Sequence, residues 1–201
     1  MVSTHKTENN LIMENIMQTN TIITDGFYNN PDSVREFALS QDFNVTGNYP
    51  GSRTKSFLDQ ETKAAIQSIV SEAGGNVTNW YNQDGFTGSF QLTYASDRSW
   101  IHSDHVTMWA GVLYLTPDAP LSGGTGTFKH RATGAMTGAE MGDHLHEPQD
   151  MTKWEIVDRM ANIYNRLVMY RGDTFHSSLD YFGSQVDDGR LFQLFFFDTE
   201  Y

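Results

Sequence analysis

The chain has 201 residues, 38% of them hydrophobic and 19% charged, which fits one globular domain with a sizeable core. Its net charge of −12, from 13 basic against 25 acidic residues, argues against a nucleic-acid backbone or an anionic membrane as the main partner. With no cysteine there is no disulfide, zinc–thiolate site or cysteine nucleophile, which fits the cytoplasm.

Residues 1–20 are rich in Asn, Thr and Glu and lack a continuous apolar stretch, so they read as a flexible arm rather than a signal peptide. A single domain is expected over 21–201. Thr21 to Asp25 reads as a short strand ended by Gly26. Asn30-Pro31-Asp32 starts a helix with an early proline, and Val34, Phe37 and Ala38 supply its apolar face. Asp59 caps a second helix running to about Glu72, with Ala65, Ile66, Ile69 and Val70 on one side and Gly74-Gly75 at its end.

From Phe86 the period changes to that of strands. Phe90, Leu92 and Tyr94 alternate, Trp100 to Asp104 follows, and Met108 to Thr116 is an apolar run closed by Pro117. Gly123 to His130 is a glycine-marked turn and strand. Thr133 to Asp150 is a long polar loop with the character of a lid. Thr152-Lys153-Trp154-Glu155 has the form of a capping box and predicts a helical insertion carrying Val157, Met160 and Ala161. Arg166 to Tyr170 and Arg190 to Asp198 are the last strands. The expected class is α+β: a jelly roll (double-stranded β-helix) with N-terminal support helices and one helical insertion.

The chemistry lies in His102-Ser103-Asp104 and the distant His176. Residues i and i+2 of a strand share a face, so His102 and Asp104 can grip one ion while Ser103 points away. Two histidines and one carboxylate are the ligand set of a mononuclear non-haem iron site, with coordination positions left open. An isolated HxD also arises by chance, and a core histidine held by hydrogen bonds looks the same in sequence. Context favours the metal: Trp100 and Ile101 lead into the motif, Val112-Leu113-Tyr114-Leu115 follows it, and Leu167 to Tyr170 precedes His176.

With Tyr94, His102-Ser103-Asp104, Leu113-Tyr114-Leu115, Gly123-Gly124, His176 and Arg190 in this order, the region Phe90 to Asp198 resembles the 2-oxoglutarate- and Fe(II)-dependent dioxygenases, in their prolyl-4-hydroxylase-like branch. The resemblance implies Fe(II) on His102, Asp104 and His176. It implies 2-oxoglutarate on Arg190, with Tyr94 and Tyr114 near the co-substrate, and O2 as the oxidant. An arginine suits a carboxylate because its planar fork makes two parallel hydrogen bonds. Phe192 departs from the pattern, since many relatives carry a serine or threonine there. The implied reaction is hydroxylation of an unactivated C–H bond in a small molecule or peptide, a prolyl residue or an amino-acid-like substrate being the family analogy.

Two other readings share the histidines. A cupin-like metal-binding module without oxygenase activity would not need Arg190. A metal-dependent hydrolase would need a further carboxylate or lysine base that no motif places. Asp143-His144-Leu145-His146-Glu147 reads as solvated loop, His130 and Arg131 as surface, and Trp109 and Trp154 as core. There is no phosphate loop and no G-x-S-x-G elbow.

Overall fold

The computed structural model describes residues 19–73, 75–142 and 147–201. The arm over 1–18 and the cluster Asp143 to His146 lie outside the described residues. The chain runs β1 (Thr21–Asp25), α1 (Pro31–Leu39), β2 (Ser52–Arg53), α2 (Gln60–Glu72), β3 (Asn76–Trp80), β4 (Phe90–Thr93) and β5 (Trp109–Tyr114). It continues through β6 (Thr125–His130), α3 (Gly138–Met141), β7 (Trp154–Met160), β8 (Arg166–Arg171), β9 (His176–Ser178) and β10 (Arg190–Glu200).

Both N-terminal helices start where side chains satisfy their free amides. Asn30 Oδ1 accepts from Ser33 N at 3.3 Å and Asp59 Oδ1 from Thr62 N at 2.7 Å. Seven strands form one antiparallel sheet in the order β1-β8-β5-β10-β4-β2, with β3 also paired to β10; β7-β6-β9 form a second. Among the described residues no helix is long and apolar enough to cross a membrane.

The large sheet is buried on both faces, which is why β5 reads as an unbroken apolar run rather than an alternation. On one face Leu92, Leu113, Leu167, Leu191, Phe195 and Phe197 pack with Ala38 of α1 and Ile66 and Val70 of α2. On the other, Val112, Tyr114, Tyr170, Phe192, Leu194 and Phe196 form a second cluster that also takes Met160 of β7. The alternation along β10 therefore sorts its side chains between a helix-packed core and the space between the sheets.

Four expectations are corrected. The helical insertion is absent: Trp154–Met160 is strand β7, paired antiparallel with β6. The Asp150 side chain caps a single 3-10 turn at Met151–Lys153, and Trp154 then buries against Phe175, so packing of β-favouring Trp, Ile and Val overrides the apparent capping box. A capping box does form, at Thr137 and Glu140, opening α3 within the stretch expected to be loop. Trp100 to Asp104 is not a regular strand, since only His102 bridges, to His176. His130 is also buried rather than superficial, with Nδ1 3.0 Å from Thr133 Oγ1 and its ring against Trp154. Trp109 and Trp154 are core, as expected.

Phe195 is fully buried at the centre of the helix-side core. Phe195→Ala is expected to cost about 3–5 kcal/mol in urea unfolding, the range for deleting a buried ring. A loss under about 1 kcal/mol would mean that this core is not the one that holds the domain together.

Candidate metal centre

His102 and His176 are tied to each other through their backbones. His102 N donates to His176 O at 3.1 Å, and His176 N donates to His102 O at 2.8 Å. This reciprocal pair places the rings side by side, with centroids 4.4 Å apart. Asp104 is fixed two residues on, its N donating to Gly172 O at 2.6 Å. A Cβ at Gly172 would collide with the Thr107 carbonyl oxygen, so this close approach of the turn before His176 requires glycine.

The ring nitrogens are sorted by hydrogen bonding. His102 Nδ1 lies 3.0 Å from Trp100 O, and His176 Nδ1 lies 2.8 Å from Thr174 O. A carbonyl can only accept, so each neutral ring keeps its proton on Nδ1 and leaves the Nε2 lone pair free. Those Nε2 atoms face Asp104, at 3.9 Å from Oδ1 for His102 and 3.8 Å from Oδ2 for His176. Both distances are too long for a hydrogen bond. Burial, and after it the neighbouring His102, pushes the His176 pKa down to about 4, and the opposing pull of Asp104 does not offset this. The ring is therefore neutral at pH 7. One ligand atom from each of the three residues lies within 4.8 Å of the others. Converging lone pairs with no proton between them are what a divalent cation requires.

The three side chains line a cavity of about 240 Å³ between the two sheets. Gln91, Phe192 and Leu194 of the large sheet and Thr125 and Ser178 of the small one form part of its walls. Tyr170 stands over His176, with ring centroids 4.6 Å apart, and burial followed by the charge of Asp104 raises its pKa well above the usual phenol value.

Arg190 is fully buried where β10 begins. Nε donates to Gly123 O at 2.7 Å and Nη2 to Gly124 O at 3.4 Å, while buried Nη1 has no partner. Its guanidinium lies 4.3 Å from the Phe192 ring and 5.5 Å from that of Tyr114. Among the described residues no carboxylate comes within ion-pair distance of it. Tyr114 is fully buried on the same face, its hydroxyl 2.8 Å from Thr125 Oγ1, and burial raises its pKa against the opposing charge of Arg190. The structure does not bring Tyr94 to this cavity. Tyr94 follows Phe90 and Leu92 onto the opposite face of the sheet and packs with the helix-side core.

Two residues of the cavity were not singled out from sequence. Tyr170 carried a usable signal, as the one polar tip at the end of an apolar strand just before His176. Arg53 carried none, because β2 is only two residues long and its place depends on pairing with β4.

A divalent metal such as nickel(II) or iron(II) is expected to raise Tm. At about 100 times Kd the gain is about 2.7 kcal/mol, or roughly 5–10 °C for a chain of this size. His176→Ala should abolish the shift; an unchanged shift would remove this triad as the metal site.

Comparison with solved structures gives the same fold at low identity. A prolyl hydroxylase from Trichoplax adhaerens, in complex with a hypoxia inducible factor oxygen degradation domain peptide fragment, matches with a TM-score of 0.51 and 13% identity, covering 89% of this chain and 84% of that one. HygX from Streptomyces hygroscopicus, with nickel and 2-oxoglutarate bound, matches with a TM-score of 0.55 and 10% identity, covering 89% and 82%. HygX with hygromycin B also bound gives the same values. No curated protein matches the chain. At the level of sequence one family profile matches residues 8–197, and the chain therefore belongs to DUF6445, a family of unknown function.

Proposed function

We propose that the protein is an Fe(II)- and 2-oxoglutarate-dependent dioxygenase that hydroxylates an unactivated C–H bond. The observation that carries this reading is the convergence of the Nε2 atoms of His102 and His176 on the Asp104 carboxylate at the wall of a cavity between the sheets. His102, Asp104 and His176 would hold the metal through three ligands and leave positions open. When bound, iron and 2-oxoglutarate would supply the oxygen activation, with succinate and CO2 released.

Arg190 would take the distal carboxylate of the co-substrate. A buried guanidinium without an acidic partner is costly unless an anion completes it, and Nη1 is the donor left over. Phe192 offers no hydroxyl, but Tyr114 and Thr125 carry a hydroxyl pair to the same region from both sheets. The carbonyls of Trp100 and Thr174 hold the histidine rings in their liganding tautomer. Val112, Phe192, Leu194 and Phe196 give the site apolar walls. The shared fold with a structure holding nickel and 2-oxoglutarate, and with a prolyl hydroxylase bound to a peptide, supports the same reading. The primary substrate is a small molecule or a peptide side chain.

Mixing the protein with Fe(II) and 2-oxoglutarate under anaerobic conditions is expected to give a weak visible charge-transfer band, absent in His176→Ala. No band and no 2-oxoglutarate binding would leave a metal-binding module without oxygenase activity. Arg190→Ala should weaken 2-oxoglutarate binding by about 10- to 100-fold, the worth of a hydrogen bond to a charged group, while metal affinity is kept. Equal co-substrate affinity in that variant would take Arg190 out of the site.

A further inference from the structure

We infer that Arg53 anchors a carboxylate of the primary substrate, so that the cavity takes a carboxylate-bearing small molecule of amino-acid size. This rests on the dioxygenase reading above and adds the substrate class.

Arg53 is the single Lys or Arg among the residues lining the cavity of His102, Asp104 and His176. It is held in place from three sides. Nε donates to Gln91 Oε1 at 2.8 Å, Nη1 donates to Gly85 O at 2.6 Å, and the guanidinium lies 3.6 Å from the centre of the Tyr49 ring. Nη2 donates to no partner among the described residues, and no carboxylate lies within ion-pair distance. Gly51, at φ +68°, delivers the residue to this position; a Cβ there would strike the Leu92 carbonyl oxygen. Burial lowers the Arg53 pKa to about 10, a desolvation cost that an incoming anion would relieve.

Arg53 and Arg190 serve different places. Across the large sheet Arg53 pairs with Gln91, and Gln91 with Phe192, whereas Arg190 pairs with Thr93 and bonds to the carbonyls of Gly123 and Gly124. Two fixed guanidinium groups, neither ion-paired to a carboxylate among the described residues, match two carboxylate ligands rather than one. The cavity is also lined by Tyr49, Pro50, Phe86, Trp100 and Val106, with Tyr49 lying against the Arg53 guanidinium. These walls suit an apolar body attached to the carboxylate. A volume of about 240 Å³ lies below the roughly 300–1,000 Å³ of most ligand pockets, which favours a small substrate.

The test uses the full chain loaded with nickel(II) and 2-oxoglutarate, which blocks the metal and Arg190, and reads binding by ligand-detected NMR. The probes are the free L-amino acids and their C-terminal amides. At least one acid should bind about 10- to 100-fold more tightly than its amide. Arg53→Gln should remove that preference. Arg53→Lys, which keeps the charge and loses the fork, should retain part of it and shows that the loss is not a folding defect. Neither variant should change the Kd for 2-oxoglutarate by more than about twofold, since the charge-assisted bonds assigned to the co-substrate come from Arg190. No acid preferred over its amide, or a preference that survives Arg53→Gln, would overturn the inference. So would a 2-oxoglutarate Kd that collapses in Arg53→Gln, because Arg53 would then be holding the co-substrate. Failure of the wild-type protein to bind 2-oxoglutarate at all would instead strike the dioxygenase reading itself.

Discussion

The site depends on the two backbone hydrogen bonds between His102 and His176. They join a segment with no regular strand of its own to the start of β9, and they set two imidazoles side by side at a tilt of 55°. Each ring is then turned by a carbonyl two residues before it in the chain, Trp100 O for His102 and Thr174 O for His176. Because the orienting groups are backbone, the tautomer follows from the path of the chain and needs no further side chain. Asp104 completes the set through its own backbone bond to Gly172, in the turn that leads to His176. Three ligands from two distant segments thus share one short stretch of paired backbone, and displacement of either segment would separate all three.

Strand β10 does the corresponding work for the cavity. Its residues alternate between a core shared with α1 and α2 and the space between the sheets. On the helix side, Phe195 and Phe197 fix the strand by burial; on the other, Phe192 and Leu194 line the cavity and Arg190 lies against Phe192. A strand packed on both faces carries no polar exposed face to mark its orientation, so its functional alternation is hidden inside an almost wholly apolar run. Stability and site geometry are coupled through this strand, and a core change on the helix side will move the cavity wall.

These features explain what was legible in sequence. The candidate triad was legible because His102 and Asp104 stand two residues apart and His176 follows an apolar strand, although the HxD segment forms an isolated bridge rather than a strand. The N-terminal helices were readable because Asn30-Pro31 and Asp59 are local signals that the structure uses as written. Tyr94 was misleading for a geometric reason: its alternation with Phe90 and Leu92 is real, but that face meets the helices and not the cavity. The segment Thr152 to Met160 satisfied a helix-start pattern, yet Trp154 buries more as a strand residue against Phe175 and β6 than an exposed helix would allow. Arg53 was unreadable because its role depends on partners far away in sequence, Gly85 and Gln91.

The charge distribution closes the argument. The chain carries a net −12, yet among the described residues neither Arg190 nor Arg53 has a carboxylate within ion-pair distance. With so many carboxylates available, neutralising them would be easy, and a surface position would avoid the desolvation cost altogether. Arg190 instead spends its donors on the carbonyls of Gly123 and Gly124, and Arg53 on Gly85 O and Gln91 Oε1, each bonded to neutral acceptors that fix direction without cancelling charge. Asp104 is the one carboxylate among the residues lining the cavity, and a divalent ion on the triad would more than offset it. On the reading proposed above, these two guanidinium groups would make the interior locally positive within an acidic protein, and an entering anion would complete it.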